Sequence, residues 1–490
     1  MARNFKKLIF TFAFVLAIVL ISSSCRREAS RTTGWAYNDP DWGGFQKKPY
    51  TEQETGPGLV FIEGGTFVMG RTEQDVMFDW DNIPRRVTVS SFYMDETEVS
   101  NLDYVEYLYW INRVFGETYP EVYNKALPDT LVWRDRLAYN EPYVYNYLRH
   151  AAYRDHPVVG VSWVQASDYA SWRTDRVNEM ILVREGILEL DHDQVNENNF
   201  NTEAYLAGQY EGLVKENLRD LDPRGTGERS VRREDGILLP AYRLPTEAEW
   251  EFAALGLIGN TVYERIVERR LYPWNGHQLR SSERRTMGTF MANIKRGRGD
   301  MMGVAGNLND AGEITVPVYA YWPNDYGLYN MAGNVSEWVK DVYRPLTHED
   351  VTAFRPFRGN VFERLATDDE GNILPKDSLG RMQWQEVTQE ESATRRNYRY
   401  ADNISYRDGD FASSIYYDQE DMQDREDQLM YEYGVTSLIN DEARVYKGGS
   451  WKDRAYWAVP GTRRFLDQNE AASHIGFRCA MDRVGSPIRH

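Results

Sequence analysis

The sequence predicts a globular domain that mixes short strands with helices, and three observations support this. Residues 59–70 place apolar residues around a Gly-Gly pair, which indicates two strands joined by a turn, and residues 86–94 indicate a further strand. Ser100 is placed to cap a helix, and Thr246 with Glu249 forms a capping box for another. With 490 residues, the chain is long enough to bury a large core.

The N-terminus has the pattern of an export signal. A basic start precedes an apolar run at residues 8–21, which is too short to cross a bilayer comfortably, and serines then directly precede Cys25. Small residues before a cysteine resemble the cleavage box of a bacterial lipoprotein. We therefore expect residues 1–24 to be a lipoprotein signal peptide and Cys25 to carry the lipid. The alternative is an ordinary signal peptide with an incidental cysteine.

Charge and cysteine content disfavour some classes of partner and of scaffold. The formal net charge is −18, which disfavours binding to nucleic acid and to anionic lipid headgroups. The chain holds 2 cysteines, so a lipidated Cys25 leaves Cys479 without an intrachain partner and leaves no disulfide framework. Stability must then come from the core, with metal ions or protein partners as further contributors.

Composition divides the chain into a tether, a domain and a short tail. Residues 25–57 form a polar segment with several aromatic residues, which predicts a lipid-anchored tether that docks on another surface; the alternative is a strap along its own domain. Residues 58–484 hold the domain, and residues 485–490 are a C-terminal tail. Long insertions interrupt the domain near 113–153, 184–238 and 345–442. Their aromatic residues, such as the Tyr416-Tyr417 pair, favour interfaces over disorder.

A series of sequence blocks occurs along the domain. They are Gly64-Gly65-Thr66-Phe67, residues 157–163, Arg243-Leu244-Pro245-Thr246-Glu247, Gly333-Asn334-Val335-Ser336-Glu337-Trp338, and Gly448-Gly449-Ser450-Trp451 with Gly476-Phe477-Arg478. In this order they resemble the formylglycine-generating, or sulfatase-modifying factor, family. The resemblance implies a compact α+β fold related to the C-type lectin fold, with little regular secondary structure. Arg243 and Glu247, beside Trp250, are expected to pair within the core, because buried charges need partners.

The positions that the resemblance matches to the family's reactive cysteines hold other residues. In enzymes of the family those cysteines lie three and eight residues after the serine that corresponds to Ser450, and here the two positions are Asp453 and Ala458. A carboxylate and a methyl group cannot perform thiol chemistry or bind copper(I), which prefers soft ligands. We therefore expect no catalytic residue, no bound copper and no enzymatic activity.

The resemblance also implies two structural calcium sites, each built from oxygen ligands. The first calcium set is Asn293, the Ile294 carbonyl, Asp310 and the Gly312 carbonyl. The second calcium set is Asn330 and Glu337 with the carbonyls of Gly333 and Val335. The alternative is that these polar groups only hydrogen-bond turns.

One subgroup of the family matches better than its enzymes. The box at Cys25, the Thr-Gly-Trp-x-Tyr-Asn tether at 33–38, the large insertions and the missing reactive cysteines resemble gliding-motility and type IX secretion lipoproteins of the PorK/GldK type. The GldJ type is the alternative within that subgroup. The resemblance implies an outer-membrane lipoprotein on the periplasmic face, which would self-associate into a large ring complex with a PorN/GldN-type protein and other type IX secretion components. A lectin-like carbohydrate- or peptide-binding protein is the alternative from another functional class.

Overall fold

The computed structural model describes most of the domain and part of the tether. The described residues are 28–70, 82–256, 270–295, 312–343, 357, 359, 363–387 and 442–485. The predicted lipidation site Cys25, the expected calcium ligand Asp310 and the Tyr416-Tyr417 pair lie outside them. The chain forms two compact units, and the smaller one holds residues up to 51 together with 182–190 and 213–238.

Short strands and helices alternate along the chain. The strands are β1 (Leu59–Ile62), β2 (Gly65–Met69), β3 (Arg85–Val89), β4 (Phe92–Asp95), β5 (Leu218–Arg219), β6 (Glu228–Arg229), β7 (Tyr242–Arg243), β8 (Ser336–Val342), β9 (Glu363–Leu365), β10 (Trp384–Glu386), β11 (Ala443–Lys447), β12 (Arg464–Asp467), β13 (Ile475–Gly476) and β14 (Ala480–Asp482). The α-helices are α1 (Asn101–Phe115), α2 (Pro120–Ala126), α3 (Glu141–Asn146), α4 (Trp163–Arg184), α5 (Thr202–Leu206) and α6 (Glu247–Leu255). Over the described residues, none of these helices has the length and apolarity that crossing a bilayer requires. This mixture confirms the predicted α+β class.

Two four-stranded sheets lie in the larger unit. One has the order β1-β4-β14-β7 and is antiparallel throughout. The other has the order β12-β11-β8-β13, in which β13 runs parallel to β8 and pairs Ile475 with Ser336. Every residue of β8 is buried except Lys340, which is partly buried. The second sheet therefore brings the Glu337-Trp338 block beside strands from the C-terminal blocks.

The capping residues predicted from the sequence lie at the starts of α1 and α6. Ser100 and Asp103 form a capping box at the start of α1, and Thr246 and Glu249 form one at the start of α6. Each box satisfies backbone N–H groups that a helix start would otherwise leave without acceptors. Helix α6 then ends at Gly256, whose φ of 55° is the left-handed conformation typical of a helix C-terminus. Both helices match the expectation from the sequence.

The predicted hairpin at the Gly-Gly pair is wrong in its pairing. Both strands exist, but β1 pairs with β4 and β2 pairs with β3, so the two neighbours in sequence lie in different sheets. Phe67 of β2 packs against Phe252 of α6, with ring centroids 5.3 Å apart. The apolar contact with α6 therefore draws β2 away from β1, and a local turn pattern does not report such a partner.

Residues 28–51 of the tether pack within the smaller unit. Gln46 accepts hydrogen bonds from the Arg229 guanidinium at 3.0 and 3.2 Å, and Lys48 lies 3.1 Å from Asp235. A Cβ atom at Gly44, which has a φ of 71°, would lie 1.8 Å from the Leu221 carbonyl oxygen, so only glycine permits this approach. Residues 28–51 thus associate with the second insertion, which favours the alternative of a strap over a tether that docks elsewhere.

The other insertions differ in how they use their aromatic residues. In the first, Trp133 is buried and its ring stacks on Trp451, 5.9 Å between centroids. Tyr139 and Tyr145 of the same insertion are exposed. In the described part of the third, β9 pairs with β10, and Trp384 is 48% exposed. The first insertion therefore covers its own domain while presenting some aromatic residues outward.

Candidate functional site

The carboxylate at the first reactive-cysteine position is held in an ion pair. Asp453 accepts hydrogen bonds from both terminal nitrogens of Arg464, at 2.7 and 2.6 Å, and from the Ser450 hydroxyl at 2.6 Å. Burial alone would raise the pKa of Asp453, but Arg464 and Ser450 together hold it below its usual value. The side chain at this position is therefore a fixed, paired anion.

The guanidinium of Arg464 links this carboxylate to the sheet. Its Nη2 atom also donates to the Ser336 hydroxyl at 2.9 Å, and its plane lies over the rings of Tyr446 and Trp457 at 4.8 and 4.6 Å. Paired, hydrogen-bonded and stacked, Arg464 occupies the space around Asp453 from several sides. We see in this arrangement a structural connection between β12, β8 and the turn that carries Asp453.

The second reactive-cysteine position is filled by an apolar contact. Ala458 is fully buried and packs in a cluster with Tyr272, Ile294 and Ala332. Gly448, earlier in the same segment, has a φ of 93°, a conformation that favours glycine. A Cβ atom at this position would also lie 2.9 Å from the Trp250 ring. Glycine is therefore needed at Gly448. The two positions that the resemblance matches to the family's cysteines hold a paired acid, Asp453, and a packed methyl group, Ala458.

A neighbouring histidine, His474, is largely buried beside this turn. Burial lowers the pKa of His474 to about 4, although the charge of Asp453 acts in the opposite direction. The ring is therefore neutral at pH 7. It packs edge-on against Tyr446, 6.2 Å between ring centroids.

A buried ion pair joins the Asn-Val-Ser-Glu-Trp block to the last block. Arg478 donates to both carboxylate oxygens of Glu337 at 2.6 Å, and Trp250 Nε1 donates to the same carboxylate at 2.7 Å. Both charged side chains are fully buried. A bidentate guanidinium–carboxylate pair of this kind has strict geometry, so it fixes the relative positions of β8, α6 and the segment before β14.

A second buried acid lies beside this pair. Glu98 accepts hydrogen bonds from the side-chain amides of Asn330, at 2.9 Å, and Asn334, at 3.0 Å. Burial raises the pKa of Glu98 to about 8, although Arg478 acts in the opposite direction. Asn330 and Asn334 both have left-handed backbone conformations, with φ of 52° and 60°. Glu98 therefore ties together the loop that precedes β8.

A third cluster of buried charges corrects one expectation. Glu247 pairs with Lys447 at 3.1 Å and Arg463 at 2.7 Å, whereas Arg243 pairs with Glu249 at 2.7 Å. Arg243 and Glu247 are thus both ion-paired, but not with each other. Burial alone would raise the pKa of Glu247, and the two adjacent cations instead hold it below its usual value. The partners come from distant segments, which local sequence cannot indicate.

The first calcium set contains an oxygen that lacks a partner. The Asn293 side chain is fully buried, and its amide nitrogen donates to the Ile314 carbonyl at 2.9 Å. Its amide oxygen Oδ1 is buried and accepts no hydrogen bond within the described part of the chain. A buried acceptor without a donor is what a cation site requires before the cation binds. Asn293 therefore has an oxygen available for a cation, Asp310 lies outside the described residues, and calcium at this first set stays a prediction.

The second calcium set does not fit. Its expected charged ligand, Glu337, already has both oxygens occupied by Arg478 and Trp250. The Asn330 amide points its nitrogen at Glu98 and at the Val318 carbonyl. A fully buried Val335 completes a packed turn. The physical reason is competition, because Arg478 supplies to Glu337 the positive charge that calcium would have supplied.

Sequence reasoning missed the residues that hold this region together. Glu98, Arg463 and Arg464 lie outside the recognised blocks, yet each has a buried or partly buried ion pair or amide contact. Arg463 directly precedes β12 and Arg464 begins it, and two adjacent cations beside Phe465 and Leu466 are a signal that could have been followed. Among the described residues, no cluster of three or more His, Cys, Asp or Glu side chains is arranged to hold a metal ion.

Comparison with known proteins relates this chain to one family. The family model described as "Sulfatase-modifying factor enzyme 1-like domain" matches residues 45–483. The chain is 29% identical over 283 residues to the formylglycine-generating enzyme of Mus musculus, which covers 58% of each protein. It is 28% identical over 290 residues to the inactive C-alpha-formylglycine-generating enzyme 2 of Mus musculus, covering 59% of this chain and 70% of that protein.

The matched regions leave parts of the relatives uncovered. The chain spans 58% and 57% of the length of the formylglycine-generating enzymes of Mus musculus and Bos taurus. Among solved structures, PvdO from Pseudomonas aeruginosa is similar with a TM-score of 0.39 and 15% identity, covering 89% of this chain and 99% of that one.

Proposed function

Because the chain belongs to the sulfatase-modifying factor enzyme 1-like family, whose members include an inactive enzyme, we propose that it is a non-catalytic structural lipoprotein of the type IX secretion system. In this proposal it is anchored in the outer membrane through Cys25 and faces the periplasm. It forms a large ring with a PorN/GldN-type partner. The sequence features at Cys25, in the tether and in the insertions support the assignment to this subgroup.

The observation that carries the proposal is the ion pair at the first thiol position. Formylglycine formation in this family depends on a reactive cysteine pair, and here Asp453 is bound by Arg464 and Ser450 while Ala458 is packed among apolar residues. Arg464 also connects Asp453 to β8 through Ser336. The turn thus contributes to the rigidity of the domain, which is what a ring subunit needs from its core.

Surface features support a role in assembly. Among the described residues, exposed aromatic side chains occur in the tether and in the insertions: Trp35, Trp42, Phe45, Tyr139, Tyr145 and Trp384. Aromatic residues are enriched at protein interfaces, where they supply much of the binding energy. A domain whose catalytic positions are closed and whose insertions present aromatic residues is suited to binding other proteins.

The experiment that tests this proposal is purification of the tagged protein from its own outer membrane, followed by electron microscopy. The expected result is ring-shaped particles that contain many copies of this chain and a second, periplasmic protein. A matched preparation of Cys25→Ala, made without the lipid anchor, distinguishes assembly from membrane attachment. Recovery of a monomer that binds glycans and no protein partner would favour the lectin-like alternative instead.

A further inference from the structure

A cavity of about 280 Å³ lies beside α4, in the larger unit, away from the turn that holds Asp453. Its walls include the aromatic side chains of Trp163 and Tyr242 and the apolar side chain of Leu244. Two cations also line it, Arg243 and Lys340. Small-molecule sites are concave and mostly apolar, with a few polar groups that orient the ligand. The volume of this cavity is small for such a site.

The two cations differ in whether their charge is already neutralised. Arg243 is saturated, because it donates to Glu249 at 2.7 and 2.8 Å, to Asp482 at 2.5 Å and to the Leu244 carbonyl at 3.1 Å. The ammonium of Lys340 has no carboxylate or carbonyl partner within the part of the chain that the structure describes, and lies 4.9 Å from the centre of the Phe357 ring. A partly buried charge without a counter-ion is unfavourable. Of the two cations, Lys340 is therefore the one whose charge a bound anion would stabilise more.

The backbone holds Lys340 at this position. Its N–H donates to the Pro245 carbonyl at 2.8 Å, and its carbonyl accepts from Arg444 at 3.3 Å. It is the one residue of β8 that is not fully buried. Burial lowers the pKa of its ammonium, Arg243 acts in the same direction, and Asp482, Asp341 and Glu249 act in the opposite direction. Lys340 thus stands on a fixed strand in the wall that this cavity shares with an adjoining one, which Phe357, Glu249 and Asp482 also line.

The other polar groups of the cavity restrict the kind of anion. Asp175 also lines it, accepts hydrogen bonds from Thr202 at 2.8 Å and Asn201 at 3.0 Å, and has its pKa raised to about 6 by burial. Glu203 lines the cavity as well, and the two acids together disfavour ligands with two or more negative charges. Ser171, exposed at the edge of the cavity, offers a hydroxyl that makes no hydrogen bond within the described residues.

We propose that this cavity binds a small organic carboxylate, whose acid group pairs with Lys340 and whose apolar body packs against Trp163 and Tyr242. The single ammonium matches a single negative charge. The aromatic walls match an aliphatic or aromatic body. A phosphate fits less well, because it would bring further negative charge close to Asp175 and the carboxylates around Arg243.

The test uses the purified full-length protein and compares hexanoate with 1-hexanol and inorganic phosphate. Hexanoate is expected to raise the melting temperature, by the linkage of ligand binding to stability, while 1-hexanol and phosphate leave it unchanged. In Lys340→Met the response is lost, with affinity reduced about tenfold or more, as expected for one charge-assisted hydrogen bond. Lys125→Met, the same change at an exposed lysine of α2, keeps the response.

A second measurement does not depend on a variant. Acetic anhydride labels free amines, and hexanoate is expected to protect Lys340 from acetylation while Lys125 is labelled equally with and without it. Lys340→Arg keeps the charge and is expected to retain hexanoate binding. Equal melting shifts in the native protein and Lys340→Met, no shift in the native protein, or unprotected Lys340 would each overturn the proposal.

Discussion

Glu337 is predicted to stabilise the domain through Arg478 and not through a metal ion. The change Glu337→Gln keeps the shape of the side chain and removes its charge, which leaves the buried Arg478 without the carboxylate that it binds directly. The native carboxylate accepts two hydrogen bonds of 2.6 Å from Arg478 and one of 2.7 Å from Trp250, and both charged groups are fully buried. Breaking a buried pair by removing one partner costs about 3–5 kcal/mol.

The assay is chemical denaturation of the native protein and the variant, followed by tryptophan fluorescence. The matched control is Asp482→Asn, which makes the same chemical change in an ion pair with Arg243 where the carboxylate side chain is 55% exposed. Partly exposed pairs contribute roughly 0–1 kcal/mol, so the control is expected to unfold nearly as the native protein does. Equal losses of unfolding free energy in both variants would refute the reasoning.

A double-mutant cycle isolates the pair. In Glu337→Gln with Arg478→Met, both charges are removed, and the double variant is expected to be less destabilised than the sum of the two single variants. The same proteins decide the calcium question, because a chelator is expected to act equally on the native protein and on Glu337→Gln. A chelator effect that disappears with Glu337 would instead return this residue to the second calcium set.

Three further predictions concern the anchor, a buried acid and assembly. Cys25→Ala is expected to move the protein from the outer-membrane fraction to the soluble fraction, as measured by cell fractionation; a variant that stays with membranes after its partners are removed places the anchor elsewhere. Glu98 has a pKa raised from 4.5 to about 8 by burial, so its contribution to stability is complete below pH 4.5 and is lost as the pH rises through 8. The urea midpoint of the native protein should therefore fall, relative to Glu98→Gln, between pH 5 and pH 8.5, and a constant difference would contradict this. Changing Tyr416 and Tyr417 together to Ala is expected to leave a folded protein that no longer forms large particles in size-exclusion chromatography, and particles of normal size would move the interface to residues 113–153 or the tether.

Local signals in the sequence were sufficient for the helices and the family. The capping boxes at Ser100 and Thr246 depend on residues three positions apart, so they can be read without knowledge of the tertiary fold. The sequence blocks lie in an order that the match over residues 45–483 confirms. Fold class was therefore predictable, but strands were expected only at 59–70 and 86–94, and the single strand expected at 86–94 is divided into β3 and β4.

Partners that are distant in sequence were not predictable. Glu337 pairs with a residue 141 positions away, and Glu247 pairs with Arg463 across 216 positions. The family resemblance implied that Glu337 binds calcium, but a carboxylate is suited equally to a cation and to a guanidinium. The same limitation explains the pairing of β1 and β2, whose partners were decided by the packing of Phe67 on α6.

The proposed loss of the family reaction at Asp453 and Ala458 is tested most directly by an assay for aldehyde formation. The purified protein is incubated with a sulfatase-type cysteine peptide, copper and oxygen, and the peptide is analysed by mass spectrometry. The formylglycine-generating enzyme of Mus musculus, a relative with 29% identity, serves as the positive control. We expect no aldehyde above the control without protein, because a carboxylate paired with Arg464 and a packed methyl group cannot replace two thiols. Aldehyde formed by this chain, above that control, would contradict the account.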